Sequence, residues 1–391
     1  MDNTNEVLTR GVANIIPSYE GLKKELKKGK KLSIYLGIDP TATKIHLGHG
    51  VSLRILQKLS SLGHNVTFLI GDFTALVGDS SDKDSERPML SNEKIEENFH
   101  TYKKQASKIL DFSKVAIRYN SEWLEKLSPR DFLKLSNIFS INDFTSRELI
   151  KKRLQDGKRV GLSEVFYPLL QAYDSYKLKT DLQIGGTDQT FNMQSGRTLI
   201  KTLDERDSFV LSTQFLMGTD GRKMSKTWDN AIWLDDEPFT MYRKVMSIVD
   251  SEIRNYFILA TDFALDSIPT DQEIKQNPLE IKKQLARAVV SELHSKEEAE
   301  KAEEEFKNVV QEKQTPDDLL TAEVEKETVV DDNLLVELGF ASSKSEAKRL
   351  FDQNAVSLDG EKIKLGQEMV DEGEEVLLAV GKKMIKLKSN G

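Results

Sequence analysis

The sequence predicts an α/β domain, a parallel sheet with helices on both faces, followed by a helical stretch and a small α+β unit. Three observations predict this. From Leu32 to about Asp220, short apolar runs alternate with helix-period patterns, the mark of strands and crossover helices. From Pro238 to about Lys313 the pattern is helical, and Lys282 to Val310 contains no Gly or Pro and many Glu, Lys and Ala. Behind an acidic stretch carrying Pro316, Asn333 to Gly391 reads as a compact closing unit. A chain of 391 residues, 38% hydrophobic and 31% charged, has room for two or three domains with their own cores.

The elements follow in order. Leu32–Ile38 is an apolar run and the first strand of the sheet. Leu47, Val51, Ile55, Leu59 and Leu62 recur at helical spacing, and Gly63 is placed to end that helix as its C′ residue. Asn65–Gly71 is the next strand, Glu93–Leu110 a long amphipathic helix and Val115–Arg118 a short strand. Leu182–Ile184 and Phe209–Leu211 complete the sheet. Lys282–Val310 is read as a solvated helical face, the acid is concentrated from Glu297 to Glu327, and Gln314–Asp332 is a linker. In the last unit, Ser343 with Glu346 has capping-box spacing at the start of a helix. Val356–Ile363 reads as two strand pieces around the Asp359-Gly360 turn.

Composition removes several functions. The chain has no cysteine, which excludes disulfides, thiolate catalysis and cysteine-ligated zinc. No apolar run approaches the ~20 residues that span a bilayer. Met1–Arg10 lacks the basic start and apolar centre of a secretory signal, so the expected location is cytoplasmic, with no membrane partner. The net charge of −8 argues against indiscriminate nucleic-acid binding. A specific RNA partner remains open, because phosphate contact depends on local Lys and Arg clusters.

Two short motifs carry the chemistry. His46-Leu47-Gly48-His49 sits where a strand gives way, through Asp39-Pro40-Thr41, to a helix start. A helix N-terminus offers unpaired N–H groups and a positive dipole end, which attract phosphate. The two histidines share a face of the first turn, and Gly48 between them lets a flat group such as a base approach the backbone. Lys223-Met224-Ser225-Lys226-Thr227 follows Gly221 and places two compact cations around a small centre, suited to a polyphosphate. Gly218 and Gly221 are expected to give this loop mobility. A zinc site is the rival for the histidine pair. With only five histidines and no cysteine a metal would need carboxylates or distant partners, and none is expected.

Together, in this order, the motifs resemble the two signatures of class I aminoacyl-tRNA synthetases. Tyr167-Pro168-Leu169-Leu170-Gln171-Ala172-Tyr173-Asp174 and Gly185-Gly186-Thr187-Asp188-Gln189 resemble the amino-acid pocket of the bacterial tyrosyl-tRNA synthetase family. The short connection from Asp174 to Gly185 is similar to the subgroup with the more compact insertion. The resemblance runs from about Ile34 to Trp233 and resumes from about Ser343 to Asp371, where the chain is similar to the S-four-like RNA-binding domain.

The resemblance implies a Rossmann-like catalytic domain over residues 1–233, an α-helical domain on the anticodon side of the tRNA over 234–325 and an S-four-like domain over 333–391. It implies tyrosine–tRNA ligase activity: tyrosine is activated by ATP to tyrosyl-adenylate, then moved to the terminal adenosine of tRNA(Tyr). The substrate carboxylate is then the nucleophile. The protein must align reactants and stabilise charge on the leaving polyphosphate. In the implied assignment, His46 and His49 contact ATP, His46 toward the leaving phosphates. Thr41 contacts phosphate, and Lys223, Lys226 and Thr227 close over the pyrophosphate. Lys83 and Arg87 also hold the polyphosphate. Gly37, Asp39 and Gly48 line the nucleotide side, and Asp188 faces the ribose. Tyr35 and Asp174 face the phenolic hydroxyl. Asp79, Tyr167 and Gln171 take the substrate amino group, and Gln189 the carboxylate region. Thr227 stands where serine is common, and Leu36 where many relatives carry a polar or small residue. Lys344, Lys348 and Arg349 form the RNA-binding face of the last unit. ATP with Mg2+ is implied as substrate, with no prosthetic group, and a homodimer with 137–161 at its interface. The alternatives are a tryptophanyl-tRNA synthetase, a non-catalytic synthetase-like RNA-binding protein and a nucleotidyltransferase sharing the histidine motif.

Overall fold

The computed structural model describes residues 3–41, 43–79, 91–225, 228–311, 321–325, 328–366, 369–370, 375–381 and 383–389. They divide into two compact units, Met1–Glu300 and Lys301–Gly391. No helix among the described residues is long and apolar enough to cross a membrane.

The first unit is built on a six-stranded sheet: β1 (Val12–Ile16), β2 (Ser33–Ile38), β3 (Asn65–Ile70), β4 (Val115–Tyr119), β5 (Leu182–Gly186) and β6 (Phe209–Thr213). Their order across the sheet is β1-β6-β5-β2-β3-β4. β2 to β6 are parallel, with Ile34 opposite Val66 on one side and Leu182 on the other. Ile34, Phe68, Leu69, Ile70, Leu182, Val210 and Leu211 are buried, as expected of strands covered on both faces. β1 is the element that the sequence pattern did not reveal. Two of its five residues, Ala13 and Asn14, are exposed, which blurs both alternation and continuity. Its place comes from antiparallel pairing with the distant β6.

The chain runs outward from β2 to β3 and β4, then returns to the other side of β2 for β5 and β6. The carboxyl ends of β2 and β5 therefore flank the point where the winding reverses, the place where an open α/β sheet leaves a crevice.

The helix after β2 is Leu47–Ser61. It buries Leu47, Val51, Ile55 and Leu59. Gly63 (φ +88°) ends it, and the N–H groups of Gly63 and His64 bond to Ser60 O and Leu59 O, a Schellman closure. The helix expected over Glu93–Leu110 spans Asn92–Ala106, with Ser91 as cap. Its last turn tightens, with Lys108 and Ile109 N–H reaching only three residues back. Helices Leu162–Lys177 and Thr190–Asp204 pack side by side. Pro168 lies inside the first of them and has no N–H for Glu164 O. Arg147 Nη2 donates to that carbonyl instead (3.0 Å), so the helix continues.

The helices Pro238–Met246, Ile253–Ala260 and Pro278–Leu293 lie in the same unit. Arg10 fastens the second of them to the N-terminal segment. Its buried guanidinium donates to the carbonyls of Phe257, Ile258, Thr261 and Phe263 at 2.7–3.0 Å, a cation on the C-terminal carbonyls of a helix.

The second unit holds β7 (Thr321–Val324), β8 (Thr328–Val329), β9 (Val356–Leu358), β10 (Glu361–Lys362), β11 (Met369–Val370), β12 (Glu375–Val380) and β13 (Lys383–Ser389). One sheet has the order β10-β9-β12-β13-β7, and β8 pairs with β11. Leu335, Phe351, Val356, Leu378 and Leu387 form its core. Asp359 and Gly360 both have positive φ, which suits the twist of the β9–β10 hairpin. Helix Lys344–Asp352 starts at Ser343, whose side chain accepts from Glu346 N–H. Glu346 also reaches back to Ser342 N–H (2.7 Å), one residue before the cap. The linker expected over Gln314–Asp332 is corrected in part, because β7 and β8 lie within it and pair with β13 and β11. Thr321 to Val324 is short, and its partner strand is the last of the chain, so no local signal marks the pairing.

Candidate active site

The crevice between the carboxyl ends of β2 and β5 is a cavity of about 310 Å3. Its closed end is built by one hydrogen-bonded chain. Asp174, on the Leu162–Lys177 helix, is buried; Trp123 Nε1 donates to its Oδ1 (2.7 Å) and Asn120 Nδ2 to its Oδ2 (3.1 Å). Asn120 also donates to Thr74 Oγ1 (2.9 Å), and Thr74 donates to Asp39 Oδ1 (2.7 Å). Tyr167 closes the run by donating to Asp39 Oδ2 (2.9 Å). Also in the cavity wall, Tyr35 hydroxyl lies 2.8 Å from Ser175 Oγ and 3.3 Å from Gln183 Oε1. Gln183 is itself fixed by donating to Met193 O (2.9 Å). Gln189 Nε2 donates to Asp79 Oδ2 (2.6 Å), and Asn192 holds Gln189 Oε1 (3.0 Å).

Burial pushes the Asp174 carboxyl up to about 8, against the downward pull of its two N–H donors. A carboxyl raised on folding stabilises the folded chain below its unfolded pKa of about 4, and this contribution is lost as pH rises through about 8. Substrate-free Asp174→Asn should therefore show a Tm less sensitive to pH between about 4 and 8 than the parent. Calorimetry over that range checks it, and identical profiles would place the buried charge elsewhere.

The open end carries the histidine and lysine motifs. His46 caps the Leu47–Ser61 helix in extended backbone geometry, and its ring centroid lies 3.9 Å from that of His49. Helix Asn92–Ala106 holds the loop that delivers them: Asn98 Nδ2 donates to Pro40 O (2.8 Å), Gln105 Nε2 to Thr43 O (2.8 Å), and Ile45 N–H to Gln105 Oε1 (2.7 Å). Leu47 N–H bonds to Ile232 O and Leu234 N–H to Ile45 O, which ties the histidine turn to the chain behind the lysine loop. His46 is half-buried, and loss of solvent first, then His49 and Lys223, pushes its imidazole well below the usual histidine range. It offers a hydrogen bond and not a full charge. Its Nδ1 is buried without a hydrogen-bond partner among the described residues. Gly48 has a packing reason of its own. A Cβ there would stand 2.9 Å from His46 Nδ1, so the glycine makes room for the neighbouring imidazole.

Lys223 lines the cavity with its ammonium 4.9 Å from the Phe215 ring centroid. The mobility expected of Gly218 is corrected: a Cβ there would lie 2.4 Å from the buried Asn230 side chain, so this glycine serves close packing. Gly221 sits at φ +79°, a turn position.

The structure thus brings Tyr35, Asp79, Tyr167, Gln171, Asp174 and Gln189 to the cavity wall. The nucleotide candidates Gly37, Asp39, His46, Gly48, His49, Asp188 and Lys223 join them, as does Leu36. Thr41 is not brought in. It lies in a tight turn, its N–H on Asp39 O (2.7 Å), outside the cavity lining. Lys83, Arg87, Lys226 and Thr227 lie outside the described residues. In the second unit Lys344, Lys348 and Arg349 are exposed on one helix, Lys348 within 3.6 Å of Asp332. Asn120, Thr74, Trp123, Ser175 and Gln183 were not foreseen. Single polar residues among apolar ones carry no periodic signal, and only the fold converges them.

A family model described as tRNA synthetases class I (W and Y) matches residues 27–311, and an S4 domain model matches 332–376. The chain is 40% identical to the tyrosine–tRNA ligase of Thermotoga maritima over 97% of its own length and 95% of that protein's. It is 42% identical to that of Carboxydothermus hydrogenoformans over 92% and 90%. Among solved structures, a tyrosyl-tRNA synthetase from Archaeoglobus fulgidus in complex with L-tyrosine aligns with a TM-score of 0.59 at 25% identity, covering 77% of this chain and all of that one. A C-terminally truncated mitochondrial tyrosyl-tRNA synthetase from Aspergillus nidulans aligns at 0.68 with 23% identity, over 78% and 94%, and supports the fold.

Proposed function

The chain belongs to the class I tRNA synthetases for tryptophan and tyrosine, and within that family we propose that it is a tyrosine–tRNA ligase. The observation that carries the choice of amino acid is the buried Asp174 carboxyl in the cavity wall, with the buried Tyr35 in the same wall. A phenolic hydroxyl brought there finds an acceptor. A phenyl ring leaves a desolvated carboxyl with one partner fewer, a cost of about 1–3 kcal/mol. Asp79, held by Gln189, with Tyr167 and Gln171, receives the substrate ammonium. The tyrosine carboxylate then attacks the α-phosphorus of ATP and pyrophosphate leaves. In the second step a hydroxyl of the terminal adenosine of tRNA(Tyr) attacks the adenylate carbonyl, and AMP leaves.

The nucleotide lies toward His46, His49 and the N-terminus of their helix. Gly37, Asp39 and Asp188 are on the nucleoside side, and Lys223 meets the leaving pyrophosphate. We extend this role to Lys83, Arg87, Lys226 and Thr227 from their sequence positions. Magnesium enters with ATP as counter-ion of its phosphates. Among the described residues no group of three or more His, Cys, Asp or Glu side chains is placed to hold a resident ion. The S4 unit, with Lys344, Lys348 and Arg349, is assigned to tRNA, and the helices from residue 234 onward to the anticodon side. The active form is a cytoplasmic homodimer. Leu133, Ile141, Leu154 and Leu162 are 63%, 59%, 49% and 65% exposed, an apolar set around residues 137–161 that supports a second copy there.

Asp174→Ala should narrow the gap between tyrosine and phenylalanine, read as the ratio of their kcat/KM values, by about tenfold or more. A variant that loses activity with its full selectivity intact would move Asp174 to a purely structural role.

A further inference from the structure

Asn230 is buried at 2% exposure behind the lysine loop and spans it with one planar amide. Its Nδ2 donates to Asp220 Oδ1 (2.8 Å) and to Lys223 O (3.2 Å). Its Oδ1 accepts from Ser225 N–H (2.8 Å). Its main-chain carbonyl accepts from Thr219 N–H (3.0 Å). These bonds fasten both limbs of the turn, one limb before Gly221 and one after it, to a single residue. Only a side chain with two donors and an acceptor can do this. Asp229, at φ +50°, turns the chain so that Asn230 follows it inward. Gly218 lets it come close, because a Cβ at that position would stand 2.4 Å from the amide.

We propose that Asn230 is a positioning residue for the nucleotide step, the latch that sets the backbone from which Lys223 reaches the leaving pyrophosphate. The inference rests on the proposed adenylate-forming function and adds a residue to it. Lys223 is anchored at its carbonyl by Asn230 and by its bridge to Met217, and Met217 O in turn accepts from Tyr256 hydroxyl (2.7 Å). With that backbone fixed beforehand, the ammonium need not be ordered as charge moves onto the pyrophosphate. Asn230 contributes nothing to the lining of the amino-acid end, so its loss should appear in the rate and not in tyrosine affinity.

Single-turnover adenylate formation tests this. Asn230→Asp keeps the size but sets a carboxylate against Asp220, and it should slow the step at least about tenfold with the tyrosine Kd within about twofold of the parent. The exchange variant Asn230→Asp/Asp220→Asn returns a donor to that pair from the other side, and should recover much of the lost rate. Gly218→Ala, which drives a methyl group into the amide, should give the same split by an independent route if Asn230→Asp fails to fold. Tryptic nicking between residues 222 and 226 should be faster in the single variants and slow again in the exchange variant. An Asn230→Asp rate equal to the parent's, a parallel loss of tyrosine affinity, or an exchange variant as slow as the single one would overturn the latch. If the parent itself forms no adenylate, the functional assignment fails, while the nicking comparison still reports on the latch.

Discussion

Removal of residues 312–391 is expected to abolish tRNA charging at physiological salt while tyrosine-dependent pyrophosphate exchange stays within about threefold of the parent. Every described residue that lines the cavity precedes Ser225, and the synthetase family match ends at 311. The cut falls before β7 because that strand belongs to the second sheet; a cut at 333 would leave it without its partner β13. The removed unit carries the exposed Lys344, Lys348 and Arg349 face. Such contacts act on RNA phosphates, so affinity should fall as salt rises. Lys344 stands at the first position of its helix, where the positive dipole end disfavours a cation. A triple-alanine variant of these residues should flatten the log–log salt dependence of tRNA binding by roughly two. Lys348 should contribute the smaller share, because Asp332 already pairs with it. Charging by the truncated protein at the parental rate would remove this unit as the RNA anchor.

Lys223→Ala should depress adenylate formation by roughly one hundred- to one thousand-fold, about 2–4 kcal/mol, with tyrosine affinity unchanged. The lysine lies at the open end of the cavity, away from Asp174 and Tyr35, so it meets the nucleotide and not the amino acid. Its contribution grows as charge moves onto the pyrophosphate and belongs to the transition state. His46 cannot replace it, because burial keeps that imidazole neutral. Stopped-flow kinetics separates the outcomes. An unchanged rate with a raised tyrosine Kd would contradict the assignment.

The parallel sheet was legible because strands buried on both faces leave continuous apolar runs, as in Leu32–Ile38. The histidine turn was legible because it combines a strand end with a helix start. β1 and β7 were not, since each is a short edge strand defined by a partner far along the chain. The same holds within the site. Asp174 and Tyr167 were named because the run Tyr167–Asp174 resembles a family's amino-acid pocket. Asn120, Trp123 and Gln183, which hold Asp174 and Tyr35, come from other elements and meet them only in three dimensions. Gly48 and Gly218 have a packing role that the motifs did not announce. Glycine's value at both is the absent Cβ beside a neighbouring side chain, which no sequence pattern displays.

The central claim is that this cavity activates tyrosine with ATP. ATP–pyrophosphate exchange measured with each standard amino acid in turn, in the presence of magnesium, tests it most directly. Tyrosine alone should support rapid exchange; exchange driven by tryptophan, or none with any amino acid, would contradict it.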